Sequence, residues 1–133
     1  MKILVVDDDE ISRKMICATI GQLASELREA SGGDDGLRVA RDWRPDIVIL
    51  DVMMPGVDGY EICYAIKTAP ELRHTRVIML TSRDDADGIS TGREASADAY
   101  LLKPFDPDTV LATIMKLSLG QPGVFPSPGT VSQ

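Results

Sequence analysis

An α/β fold built on a doubly wound, five-stranded parallel sheet is predicted by three features of this sequence. Short apolar runs recur along the chain: Ile3-Leu4-Val5-Val6, Ile47-Val48-Ile49-Leu50, Val77-Ile78-Met79-Leu80 and Ala99-Tyr100-Leu101-Leu102. They are continuous rather than alternating, as strands covered on both faces are. Between them lie segments with apolar residues at helical spacing, and right-handed crossovers then place five helices on two faces of the sheet.

Taken in order, the first run leads into a helix over about 10–23, with Ile11, Met15 and Ala18 at helical intervals and Ile16, Ile20 and Leu23 widening the stripe. Glu26-Leu27-Arg28-Glu29-Ala30 is a short strand whose polar residues suit an edge. A second helix over about 34–43 centres on Leu37 and Ala40. Asp51 closes the next strand and is followed by the turn-forming Met54-Pro55-Gly56. Asp58 and Glu61 form a capping pair for a third helix that buries Ile62, Ala65 and Ile66. The fourth helix, over about 85–96, has only Ala86, Ile89 and Ala95 as anchors and carries Gly88 and Gly92, each costing roughly 1 kcal/mol relative to Ala. Asp106-Pro107 starts the last helix, which presents Val110, Leu111, Ile114 and Leu117.

With 133 residues and 44% hydrophobic content, the chain suits one domain with a substantial core, expected over 1–119. From Gly120 the composition turns to Gly, Pro and Ser, so 120–133 is expected to be a flexible tail or linker. A net charge of −7, from 14 basic and 21 acidic residues, argues against direct binding to nucleic acid or an anionic membrane. No run is long enough to span a membrane and Met1-Lys2 leads into a strand rather than a signal peptide, which predicts a cytoplasmic protein. Cys17 and Cys63 lack metal-ligand spacing and are expected to be buried thiols, and His74 to be a surface residue.

The chemistry is carried by the strand ends. Asp7-Asp8-Asp9-Glu10, Asp51, Thr81-Ser82 and Lys103-Pro104 follow four successive apolar runs, and in open parallel sheets ligands bind outside the carboxyl ends of the strands. Singly, each has a plain structural explanation: a helix start, a turn, an N-cap, a solvated lysine. Together they form one site. Gathering Asp7, Asp8 and Asp51 creates a repulsion that a divalent cation and the Lys103 ammonium would balance. Magnesium suits such oxygen donors and pairs with phosphoryl groups, with manganese as the alternative. Thr81 and Lys103 could then each hold a phosphoryl oxygen.

Over about residues 2–118 these motifs resemble the receiver domain of bacterial two-component response regulators, whose chemotaxis member has the flavodoxin-like strand order 2-1-3-4-5. On that resemblance Asp7 and Asp8 match the acidic pair, Asp8 being favoured as the direct magnesium ligand. Asp51 matches the phosphoacceptor and Met53 the position whose backbone carbonyl completes the metal site. Thr81 is the switch hydroxyl, Lys103 the phosphoryl-binding lysine, and Lys103-Pro104 a cis peptide. Tyr100 matches the aromatic switch that swings inward on activation. Met53 and Arg83 hold the positions that tune phosphoryl lifetime, Arg83 by screening the group from water unless it is simply solvated, the favoured reading.

The resemblance implies a regulatory phosphoacceptor rather than an enzyme, with self-catalysed phosphotransfer and autodephosphorylation. A histidine kinase or histidine phosphotransfer protein would supply the phosphoryl group. An output domain or target protein would read it, and a phosphorylation-dependent homodimer is a further expected partner. Ile89-Ser90-Thr91-Gly92 and Leu111-Ala112-Thr113-Ile114 depart from the charged network of the dimerising transcription-factor branch.

Two other readings are open to the same residues. Asp7-Asp8-Asp9 and Leu80-Thr81 also resemble motifs of haloacid-dehalogenase-type magnesium-dependent phosphatases, with Asp7 as nucleophile, but this leaves Asp51 without a role and lacks a later pair of acids. A receiver-like module that binds partners without phosphorylation has no need of the full acid, threonine and lysine set. The weak anchoring of the fourth helix makes it the most mobile one: its amides should exchange faster than those of the last helix in a hydrogen-exchange time course, and equal protection would refute this.

Overall fold

The β-branched and leucine-rich runs form the inner strands of one parallel sheet, because each is covered on both faces and gains burial from every residue. The structure, a computed structural model, describes residues 1–127. Its elements are β1 (Lys2–Val6), α1 (Glu10–Ile20), β2 (Glu26–Ala30), α2 (Gly33–Trp43), β3 (Ile47–Leu50), β4 (Met53–Met54), β5 (Val57–Asp58), α3 (Gly59–Thr68), a 3-10 turn (Pro70–Leu72), β6 (Arg76–Thr81), α4 (Ala86–Glu94), β7 (Ala99–Leu102) and α5 (Pro107–Ser118). The sheet runs β2-β1-β3-β6-β7, all pairs parallel. Counted over those five strands, this is the expected order 2-1-3-4-5.

Side-chain alternation along the strands divides the core in two. Leu4, Val6, Val48, Leu50, Val77, Met79 and Tyr100 face Ala40, Ile62, Ile66 and Ile89 from α2, α3 and α4. Ile3, Val5, Ile47, Ile49, Ile78, Leu80 and Leu101 face Ile16 and Ile20 of α1 and Val110, Ile114 and Leu117 of α5. The register aligns the strand ends. Val6 pairs with Leu50, so the next residues, Asp7 and Asp51, stand abreast, and Thr81 pairs with Leu102 immediately before Lys103.

Local expectations fail where two apolar stripes compete. On α1 the buried residues are Ile16 and Ile20, whereas Ile11 and Met15 are 73% and 57% exposed and Ala18 is exposed too. The helix also stops at Ile20, three residues before the expected end. Ala86 of α4 is exposed, leaving Ile89 as the main anchor of that helix. Asp58 caps α3 by accepting from the Tyr60 N–H. Asp106 occupies the N-cap of α5 without a capping bond to the backbone; its carboxylate instead accepts from the Thr109 hydroxyl. Met53–Met54 and Val57–Asp58 pair as a small antiparallel hairpin that was not anticipated, closed by Gly56 at φ +70°.

Cys63 is fully buried and its thiol is pushed up to about 12 by burial first and by Asp98 second. Cys17 is only half-buried, and His74 is exposed. Part of the segment expected to be a flexible tail, 120–127, falls within the described residues, and its stretch 123–125 lies along β7: Val124 accepts from the Tyr100 N–H at 2.9 Å and Phe125 packs on the α2–α4 core. Residues 128–133 lie outside the described residues.

Ile78 sits in β6, inside the sheet, with no exposed surface. Ile78→Ala should destabilise the fold by about 2–5 kcal/mol, read as a lower urea midpoint at unchanged slope.

Candidate functional site

The sheet register delivers Asp7, Asp51, Thr81 and Lys103 to one end of the molecule. Lys103 Nζ donates to Asp7 Oδ2 at 2.7 Å and to Asp51 Oδ2 at 2.8 Å, so one ammonium joins two strand ends. The other oxygens are held by backbone: Asp7 Oδ1 accepts from the Asp9 N–H and Asp51 Oδ1 from the Met53 N–H, both at 2.9 Å. Each is an Asx turn that orients the carboxylate without a further side chain. The Asp7 side chain is 1% exposed, Asp51 9% and Lys103 19%. Burial works against the Lys103 ammonium, but its hydrogen bonds to Asp51 and Asp7 outweigh this and hold its pKa above the ordinary lysine value.

Thr81 is fully buried and its hydroxyl accepts from the Arg83 N–H at 3.3 Å. Asp8 is exposed beside Asp7, and Met53 is exposed with its sulfur 3.5 Å from the Ser82 hydroxyl. The Lys103–Pro104 peptide is cis. Arg83 turns away from this cluster: it pairs with Asp85 at 3.0 Å, its guanidinium lies 5.4 Å from the centre of the Tyr60 ring, and its stem lies against Gly88.

Tyr100 is fully buried and inward-facing, its hydroxyl donating to the Arg83 carbonyl at 2.7 Å and lying 3.3 Å from the Tyr60 hydroxyl. Burial first, then Tyr60, holds its phenol above the ordinary range. The two glycines of α4 have a packing role. A Cβ on Gly92 would lie 2.8 Å from the Tyr100 ring and one on Gly88 2.5 Å from Arg83, so the helix approaches both side chains only because these positions are bare.

The donors near a metal would all be oxygens, which suits magnesium or manganese. Among the described residues no three His, Cys, Asp or Glu side chains are grouped to hold a metal. Lys103 lies between Asp7 and Asp51, and Asp8 points to solvent. Magnesium commonly uses only one or two protein carboxylates and keeps several waters, so this donor set fits such an ion without a protein cage.

Sequence reasoning missed Tyr60, which is linked to the site through Tyr100 and Arg83, and the apolar rim of Ile11, Met15 and Phe105 beside Lys103 and Pro104. The exposed rim was detectable as the α1 apolar residues left over once Ile16 and Ile20 are assigned to the core.

A five-stranded 2-1-3-4-5 sheet with acids, a buried threonine and a lysine at its carboxyl end defines a flavodoxin-like α/β domain with a polar site beyond its strand ends. Residues 3–115 match the family model described as "Response regulator receiver domain", and the chain belongs to that family. It is 36% identical over 102 residues to the transcriptional regulatory protein AfsQ1 of Streptomyces coelicolor, covering 77% of this chain and 44% of that protein. It is 34% identical over 114 residues to protein PilG of Pseudomonas aeruginosa, covering 86% and 84%. A structure titled as the BeF3-activated receiver domain of DrrB, a Thermotoga maritima protein, superposes with a TM-score of 0.80 at 37% identity, covering 89% of this chain and 97% of that one. This chain thus spans less than half of AfsQ1 and most of PilG. It is a response regulator receiver domain of two-component signalling. The phosphatase alternative is set aside by this membership and by the deeper burial of Asp7, whose side chain is 1% exposed against 9% for Asp51.

Because Lys103 has a raised pKa in the folded state, its ion pairs contribute full stability below its ordinary value of 10.5 and lose it as pH rises through the raised value. The wild-type chain should therefore show an added loss of stability above about pH 10.5, and Lys103→Met should lack it, measured by urea unfolding across alkaline pH.

Proposed function

We propose that Asp51 accepts a phosphoryl group from a phosphohistidine of a histidine kinase or histidine phosphotransfer protein, and that the change is read by an output domain or target protein. The observation that carries this is the pairing of Asp51 and Asp7 on one ammonium, which leaves a nearly buried carboxylate held and oriented at the mouth of the site. A carboxylate oxygen of Asp51 attacks phosphorus in line, an O–P bond forms, and the P–N bond breaks with its electron pair leaving on the imidazole. Lys103 is placed to follow a phosphoryl oxygen, releasing its bond to Asp51 as that carboxylate becomes an acyl phosphate. Thr81 supplies a hydroxyl to a second oxygen. Asp7, Asp8, Asp51 and the Met53 carbonyl would hold magnesium, or manganese, with Asp8 favoured as a direct ligand, and its charge would neutralise the phosphoryl oxygens.

Donor docking is supported by the apolar rim of Ile11, Met15, Pro104 and Phe105, which gives a partner helix a surface beside the acceptor. On phosphorylation Thr81 is drawn toward the anion. Because its hydroxyl accepts from the Arg83 N–H and the Arg83 carbonyl accepts from Tyr100, the displacement passes to Tyr100, Tyr60 and α4. With Arg83 held by Asp85 and Tyr60, any effect it has on phosphoryl lifetime comes through this linkage rather than by shielding, and Met53 is exposed beside Ser82. Hydrolysis of the acyl phosphate returns the domain to its starting state. A cytoplasmic location and a phosphorylation-dependent homodimer belong to the same reading. No helix among the described residues is long and apolar enough to cross a membrane.

Incubation with acetyl phosphate and magnesium should add one phosphoryl group, seen by intact mass. Asp51→Asn or chelation by EDTA should abolish it, and Thr81→Ala should slow it by about 10–1000-fold. Labelling retained in Asp51→Asn would overturn the assignment.

A further inference from the structure

The two edges of the sheet are guarded differently. β2, at one edge, carries Glu26, Arg28 and Glu29, all exposed, and such charges discourage another strand from pairing there. β7, at the other edge, reads Ala-Tyr-Leu-Leu and carries no charge. An apolar edge of this kind is a template for strand addition unless something covers it.

In this chain the segment after α5 covers it. Gly123 lies against Asp98 and Ala99, Val124 O accepts from the Tyr100 N–H at 2.9 Å, and Phe125 packs on the core beneath α4 with the Arg93 guanidinium 4.2 Å from its ring centre. The two segments therefore run in the same direction. The close approach depends on Gly123, because a Cβ there would meet the Asp98 carbonyl oxygen at 2.2 Å. The next rung of the ladder is missing. In a parallel pair bonded this way the next N–H would come from residue 126, and Pro126 has none. Among the described residues, the stretch 122–125 is held on β7 by one backbone bond and one aromatic anchor, a contact that can come off.

We propose that the outer edge of β7 is a strand-addition surface whose resident occupant is the chain's own segment 122–125, a releasable strap across the Tyr100–α4 face. An extended segment of another molecule reaches that edge only when the strap is off. The docking does not depend on Asp51; its signalling consequence, that the strap covers the elements displaced by phosphorylation, rests on the function proposed above.

Two measurements on the full chain, made without any phosphodonor, test the strap. The Tyr100 amide should exchange about tenfold faster or more in Gly123→Val than in wild type, with β1 amides unchanged as a check on folding. A labelled synthetic peptide of residues 120–127 should bind the Gly123→Val chain and not the wild type, whose edge is filled. Equal Tyr100 exchange in the two chains, or a peptide that binds both alike or neither, overturns the proposal. Acetyl phosphate labelling of the Gly123→Val chain is scored separately: its absence counts against Asp51 as acceptor and leaves the strap standing.

Discussion

The ammonium of Lys103 is the interaction on which the arrangement of this end of the molecule depends. Asp7 and Asp51 both contact it through one oxygen, so their carboxylates lie within about 5.5 Å of each other. At an effective dielectric of about 20, two unit charges at that distance repel by about 3 kcal/mol. A third charge of opposite sign between them adds two shorter-range attractions that outweigh this repulsion. Lys103 must come from β7 to do so, across the full half-sheet from β1, and the parallel register is what places it there.

From the same strand end a second chain of contacts leads away from the acids. Thr81 is tied to the Arg83 backbone, Arg83 to the Tyr100 hydroxyl, and Tyr100 to Tyr60 across the α3–α4 core. Gly88 and Gly92 let α4 close over Arg83 and Tyr100, so low helix propensity and close packing have one cause in this helix. The same Tyr100 offers its backbone N–H to the segment beyond α5. Its side chain answers to the inner site and its main chain to the sheet edge, which makes β7 the junction between them.

Much of the fold was legible because its strands are buried on both faces. Continuous apolar runs such as Val77-Ile78-Met79-Leu80 have no other stable use in a domain of this size, and the weaker β2 was recognisable by its charged, edge-like pattern. The α1 face was misjudged because Ile11 and Met15 follow the helical period as well as Ile16 and Ile20 do. Periodicity reports that a stripe exists, and packing against α5 chooses which stripe is inside. The β4–β5 hairpin escaped notice because two-residue strands carry no pattern of their own. The segment 120–127 was read from composition, which holds no information about a neighbouring edge with an unpaired N–H.

By itself the sequence determined the five strands of the parallel sheet, the alternation of strand and helix, and the residues Asp7, Asp8, Asp51, Thr81 and Lys103 as a group at strand ends, since all of these follow from local hydrophobicity and residue chemistry. Tertiary structure alone decided that one ammonium bridges Asp7 and Asp51, that Arg83 turns to Asp85 and Tyr60, that Tyr100 faces inward, and that Phe125 returns to the core. Each of these joins residues distant in the chain, or selects one rotamer among several of similar local energy. Only the register of the sheet and the competition for buried space distinguish among them.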